Sequence, residues 1–240
     1  MKLRIGIIGC GGIATGKHLS ALKSNGDLCE VVAFCDGILD RAKKAAQEYG
    51  VENAQVCQNY NELLANPNVD VVYVLTPNIS HSPIAVDAFH AGKHVMCEKP
   101  MAINTAEAEK MMTAWKESGK KFSIGYQNRY RADVRHLRSA CQNGDLGEIY
   151  YAKAYAIRRR GVPTWGSFIQ GSQQGGGPLI DIGTHSLDLA LWLMDNYDVE
   201  SVTGTVFKKL GKLPQATDGN LWGAWDTSKY DVEDSAIGYI

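Results

Sequence analysis

The stretch Leu3-Arg4-Ile5-Gly6-Ile7-Ile8-Gly9-Cys10-Gly11-Gly12-Ile13-Ala14 decides how this chain is read. A short apolar run of strand character ends in Gly9, and residues 9–14 fit the pattern G-x-G-x-x-A. Helical spacing follows over Ile13–Ser24. A glycine string alone says little, but between a strand and a helix it marks a turn that binds a dinucleotide. Gly9 permits the tight turn, Gly11 lets the backbone approach a pyrophosphate, and Ala14 lets the helix pack close to the sheet. Gly12 and Ile13 complete the turn, and the helix offers its free N–H groups to the phosphates. Met1-Lys2-Leu3-Arg4 and the residues after it also resemble a secretion signal, with Ile7-Ile8-Gly9-Cys10 as a lipoprotein box. The apolar run is too short and too rich in glycine for that, and a strand with a glycine turn explains it better.

Outward from this turn, strand-like and helix-like segments alternate. Val31–Cys35 is a second apolar run, and Asp36 follows it, 22 residues after Ala14. A carboxylate there accepts hydrogen bonds from the adenosine ribose and repels a 2′-phosphate. Gly37 and Ile38 bring no cation for such a phosphate, so NAD is expected over NADP. Asp40–Tyr49 reads as a helix with Asp40 as N-cap. Val69–Leu75 reads as a buried strand, Ser80–Ala91 as a helix closed by Gly92, and His94–Cys97 as a strand. Thr105–Ser118 reads as a helix capped by Thr105 and stopped by Gly119, and Phe122–Gly125 as a strand. This order predicts a mostly parallel sheet covered by helices, over residues 1–125.

The alternation breaks after Gly125. Tyr130–Cys141 and Asp181–Met194 read as helices, and Ile149–Arg159 and Val199–Lys208 as strands, the first of these long. These mixed elements predict a second domain of α+β type over residues 126–240. In all, the 240 residues are 45% hydrophobic and 21% charged, with 25 basic against 26 acidic side chains. That excludes a disordered chain and argues against a general nucleic-acid binder. No apolar run is long enough for a transmembrane helix. Six scattered cysteines without metal-knuckle spacing suit a reducing cytoplasm.

The candidate chemistry gathers at strand ends. Thr76-Pro77-Asn78 follows Val69–Leu75, where ligands of parallel sheets bind; it also suits a plain turn capping the next helix. His81, one turn further, fits either surface or cleft. Glu98-Lys99-Pro100 follows His94–Cys97. Lys99 can favour a substrate alkoxide and Glu98 can orient it; the alternative is a surface salt bridge. Asp181 and His185 stand four apart on an apolar helix, hence on one face and expected to be largely buried. His185 is the natural acid/base near neutral pH. Gly175-Gly176-Gly177-Pro178 before them allows close backbone approach. No metal site is expected, because Asp181 and His185 lack a metal-binding pattern around them. Arg158, with Arg159 and Arg160, then Trp165, Arg129 and Tyr126 are the candidates for holding substrate.

Together these motifs, in this order and with Gly92-Lys93-His94-Val95, resemble the glucose–fructose oxidoreductase and inositol dehydrogenase (Gfo/Idh/MocA) family over nearly the whole chain. The resemblance implies an N-terminal Rossmann domain and a C-terminal domain with an open, mostly antiparallel sheet. It implies Lys99 and His185 as the catalytic pair, with Asp181 assisting or binding substrate. It also implies cofactor contacts from Thr76, Pro77, Asn78, His81, Glu98 and Lys99, and a cis peptide before Pro100 that aims Lys99 at the substrate.

The reaction implied is NAD-dependent hydride transfer from a sugar or polyol hydroxyl. An NAD-dependent glycosidase of similar fold and a non-catalytic dinucleotide-binding protein are the alternatives. Members of this family are usually longer, and Val232–Ile240 reads as a strand beginning. A shortened chain with an incomplete second sheet is therefore expected, pairing as a homodimer or homotetramer through that sheet.

Overall fold

A computed structural model describes residues 1–164 and 166–240. Trp165, a candidate for substrate, lies outside the described residues. The chain forms two compact units, Met1–Gly125 and Tyr126–Ile240.

In the first unit six strands form one parallel sheet: β1 (Leu3–Ile8), β2 (Cys29–Cys35), β3 (Gln55–Cys57), β4 (Val71–Val74), β5 (His94–Cys97) and β6 (Phe122–Ile124). Their spatial order is β3-β2-β1-β4-β5-β6, every neighbouring pair parallel. This is the doubly wound order whose direction reverses between β1 and β4. Both faces of these strands are covered, so they read as nearly continuous apolar runs. Ile5, Ile7 and Phe34 pack with Ala14, Leu19, Ala42 and Ala45 on one side. Ile8, Val72, Val74 and Val95 pack with Leu63, Ala85, Phe89 and Met111 on the other. Phe89 meets Phe122 edge to face at 5.2 Å between ring centres. Truncating a phenylalanine packed this way costs about 3–5 kcal/mol.

The first helix begins as a single π-helical turn, Ala14–His18, and continues as α1 (Leu19–Ser24). Then come α2 (Leu39–Tyr49), α3 (Tyr60–Leu64), α4 (His81–His90) and α5 (Thr105–Ser118). Two expected caps move by one or two residues. Asp40 lies inside the first turn of α2, whose N-cap is Ile38. Asn104, not Thr105, caps α5: its side chain accepts from the Glu107 N–H, because Asn104 has the extended backbone that a cap needs. Strand β3 and helix α3 are too short to show a period, and sequence reasoning missed both.

The second unit holds α6 (Ala132–Gln142), α7 (Gly171–Gln174), a π-helical turn at Leu179–Gly183, and α8 (Thr184–Met194). A two-stranded antiparallel sheet joins β7 (Thr203–Phe207) to β8 (Ser235–Tyr239). A small core of Ile169, Trp225, Tyr230 and Val232 is pinned where Trp225 Nε1 donates to the Gly211 carbonyl at 2.7 Å. The expected strand Ile149–Arg159 does not form. Among the described residues it has no strand to pair with, and Tyr150, Tyr155 and Ile157 stay exposed. A strand exists only by its ladder, so extended propensity without a partner leaves irregular chain.

Candidate cofactor and active site

The cofactor turn sits where the sheet reverses direction. Gly9 has φ +97°, and a Cβ there would stand 2.6 Å from the Leu75 carbonyl oxygen at the end of β4. Only glycine suits both demands. Gly11 and Gly12 differ: a Cβ on either would meet nothing within 4 Å. Their missing side chains leave open space over the backbone, the cradle a pyrophosphate needs. Ala14 is fully buried under the helix, and Ile13 is exposed.

Asp36 is buried at the end of β2. One carboxylate oxygen accepts from the Cys10 amide at 2.8 Å and the other from the Ile38 amide at 2.8 Å. The Asp36 carboxylate therefore braces the glycine turn and keeps further lone pairs that could accept from hydroxyl donors. Burial pushes the Cys10 thiol up to about 12, so it stays neutral within the glycine turn.

Thr76, Pro77 and Asn78 form the turn after β4, with Asn78 opening a short 3-10 turn that leads into α4. The Thr76 Oγ1 is buried and finds no hydrogen-bond partner among the described residues. A buried hydroxyl without a partner is unfavourable, and it suits a group that arrives with a donor or acceptor. The open glycine cradle, the Asp36 carboxylate and this hydroxyl together fit a bound dinucleotide.

His81 is a correction to the sequence reading. Its ring is wholly buried and presents no nitrogen to a ligand. Nδ1 lies 2.7 Å from the Pro100 carbonyl oxygen and Nε2 2.9 Å from that of Thr76. Burial draws its pKa down, against the pull of both carbonyls and Glu98, and the net shift is below the ordinary value of 6.5. It ties together the two turns that carry candidate residues.

Glu98 begins the second of these turns, and the Lys99–Pro100 peptide is cis. Sequence reasoning missed the partner of Glu98. His18 Nε2 donates to Glu98 Oε1 at 2.7 Å, with both side chains largely buried. Glu98 Oε2 accepts from the Lys99 amide at 3.1 Å. Burial raises the Glu98 carboxyl, but the His18 bond and charge, the Lys99 amide and the Lys99 charge outweigh it, and the net shift is down. Nothing in the spacing of residues 18 and 98 signals this pair; the fold joins them.

In the second unit Asp181 lies in the π-helical turn and His185 in the first turn of α8. The apolar helix is only half-buried, and His185 alone is buried along it. The expectation of a largely buried helix is thereby corrected: residues 184 and 186–194 stay partly accessible, and the core of this unit is built from other residues. Tyr126 sets its ring edge-on to His185 at 6.5 Å, and its hydroxyl lies 3.2 Å from Thr184 Oγ1. Two other substrate candidates are occupied by protein. Arg129 forks onto Asp188 and stacks over Tyr126 and Trp192. Arg158 folds over Trp222 at 4.8 Å and donates to the Gly161 carbonyl. No three histidine, cysteine or acidic side chains gather as a metal site among the described residues, and among them no helix is long and apolar enough to cross a membrane.

Residues 3–126 match the oxidoreductase family with NAD-binding Rossmann fold, and residues 134–240 match the Gfo/Idh/MocA C-terminal domain. The chain belongs to the Gfo/Idh/MocA family. It is 42% identical over 238 residues to the D-glucoside 3-dehydrogenase of Escherichia coli K12, covering 99% of this chain and 66% of that relative. It is 30% identical to the inositol 2-dehydrogenase of Salmonella paratyphi B, covering 84% of this chain and 57% of the relative. The WlbA dehydrogenase of Chromobacterium violaceum, solved with NADH and UDP-GlcNAcA, superposes with a TM-score of 0.81 at 26% identity, over 99% of this chain and 63% of that one. The chain thus spans roughly 57–66% of the length of these relatives.

Proposed function

We propose that this chain carries the machinery of an NAD-dependent oxidoreductase acting on a CH–OH group of a sugar or polyol. The observation that carries the reading is the glycine cradle at the sheet's reversal point, with Asp36 bonded to its Cys10 amide. When bound, the nicotinamide supplies the hydride acceptor. Gly9, Gly11, Gly12, Ile13 and Ala14 form the seat for the pyrophosphate, and Asp36 takes the adenosine ribose and selects against a 2′-phosphate. Thr76, Pro77, Asn78 and Glu98 line the nicotinamide side. Lys99 stabilises the substrate oxygen as it loses its proton, and His185 accepts that proton, with Asp181 assisting. Tyr126 supports His185 and the substrate. The name of the glucoside-dehydrogenase relative points to a sugar ring hydroxyl.

The same reading extends to setting and assembly. Exposed Val206, Ile237 and Tyr239 on β7 and β8 support self-association through that sheet, checked by sedimentation. Five buried free thiols support a reducing cytoplasm.

The test is a panel of D-glucose, methyl glucosides, myo-inositol and D-glucitol with NAD, read as absorbance at 340 nm beside calorimetric NAD binding. Reduction of NAD by one of these, slowed about a hundredfold or more in Lys99→Ala and His185→Ala with residual turnover still measurable, is the expected result. Cleavage of a glucoside without net NADH identifies the elimination reaction instead. Absence of NAD binding overturns the reading.

A further inference from the structure

The Glu98-Lys99-Pro100 turn is gripped at both flanks by histidines distant in sequence. On one side His18 Nε2 holds Glu98 Oε1 at 2.7 Å, and the other Glu98 oxygen receives the Lys99 amide. The His18 ring also rests edge-on against Tyr73 of β4, 5.8 Å between centres, which limits its freedom. Gly125 leaves room for this carboxylate: a Cβ there would press within 3.1 Å of Glu98 Oε1. On the other side His81 reaches the Pro100 carbonyl at 2.7 Å and the Thr76 carbonyl at 2.9 Å. A neutral ring donates its one N–H to one of these two carbonyls, and the protonated ring donates to both. The two grips come from different places: His18 from the helix that opens at the phosphate turn, His81 from the start of α4.

We propose that His18 and His81 are positioning residues, which hold the Lys99 turn from its two flanks and register it against the cofactor turns. The inference rests on the reading of Lys99 as catalytic. His18 ties the turn to the helix behind the pyrophosphate seat. His81 ties it to the Thr76 turn. Neither ring nitrogen engaged in these bonds is available to substrate, so both histidines act through main chain and Glu98. Misplacing a reacting group by about 1 Å can cost about a hundredfold in rate, so small losses of grip are readable in kcat.

The test compares His18→Leu, His18→Gln and His81→Gln in the full chain, with and without Lys99→Ala. Two readouts are taken: amide hydrogen exchange of the unliganded protein over residues 95–104, and kcat with the best substrate of the panel above. His18→Leu is expected to speed exchange over 95–104 while leaving 105–118 protected, and to lower kcat about tenfold or more. NADH affinity should change far less than kcat. His18→Gln, which keeps a donor, should restore most of both. In the Lys99→Ala background the histidine substitutions should lower kcat no further, because their effect passes through Lys99. Unchanged exchange and kcat in His18→Leu and His81→Gln overturn the proposal. So does an equal fold-loss in both backgrounds, or exchange that rises across the whole first unit. If Lys99→Ala alone leaves kcat intact, the catalytic reading of Lys99 fails first, and this inference falls with it.

Discussion

The Asp36 carboxylate accepts a hydrogen bond from the Cys10 main-chain amide, 2.8 Å away. The residue proposed to take the ribose thus also holds the shape of the glycine turn. Asp36→Ala should therefore do two things. Leaving that buried amide without a partner should cost about 1–3 kcal/mol, read from urea denaturation. NADH affinity should fall by about tenfold or more for loss of one charge-assisted site. Full affinity in a destabilised protein would show that Asp36 is only a brace.

The glycines of the turn should separate stability from binding. Gly11→Val enters open space, so its melting temperature should match that of the parent while NADH binding is lost. Gly9→Ala forces a side chain into φ +97° and against the Leu75 carbonyl. It should lose about 1 kcal/mol or more of stability, along with binding. Calorimetry and thermal melts on both variants check the split.

Thr76 offers the opposite trade. Its buried hydroxyl has no partner among the described residues, so Thr76→Val should leave the unliganded protein as stable or more stable, by up to about 1 kcal/mol. NADH affinity should weaken. A variant that is markedly less stable without ligand would show that the hydroxyl serves the fold.

Acid should weaken the first unit in two stages. His81 titrates below its ordinary 6.5 in the fold, because burial disfavours its charge. As pH falls past about 6.5 the unfolded chain takes up that proton first, and stability drops. Glu98 titrates below the ordinary 4.5, held charged mainly by His18 against the effect of burial. Its contribution is complete above that value and lost as pH falls through its folded pKa. Urea midpoints should hold from pH 8 to about 7 and fall from about 6.5 downward, and His81→Gln should flatten the upper stage. A midpoint that rises on acidification would contradict both assignments.

Arg129 should prove structural. Its fork onto Asp188, whose side chain is 8% exposed, leaves that carboxylate nearly buried and unpaired if the arginine goes. Arg129→Met should therefore destabilise by about 2–4 kcal/mol, checked by denaturation. A variant of unchanged stability and raised KM would return Arg129 to the substrate site.

The pattern of these residues explains how much could be read beforehand. The first unit was legible because its strands are buried on both faces and its helices end at Gly92 and Gly119, both in left-handed backbone. Such signals are local: a run of β-branched residues, a cap, a glycine. Short elements such as β3 lack the length to show a period, and Ile149–Arg159 had strand character but no ladder.

Local chemistry written along the chain was enough for the glycine turn, for Asp36 at the next strand end, for the Glu98-Lys99-Pro100 turn and for the family they mark. The partners were not written there. His18 meets Glu98 across 80 positions, and Arg129 meets Asp188 across 59. His81 turns from a ligand candidate into a brace because two carbonyls close over it. Side-chain roles of this kind depend on which groups the packed sheet brings within 3 Å and shuts away from water, and no spacing along a chain carries that distance.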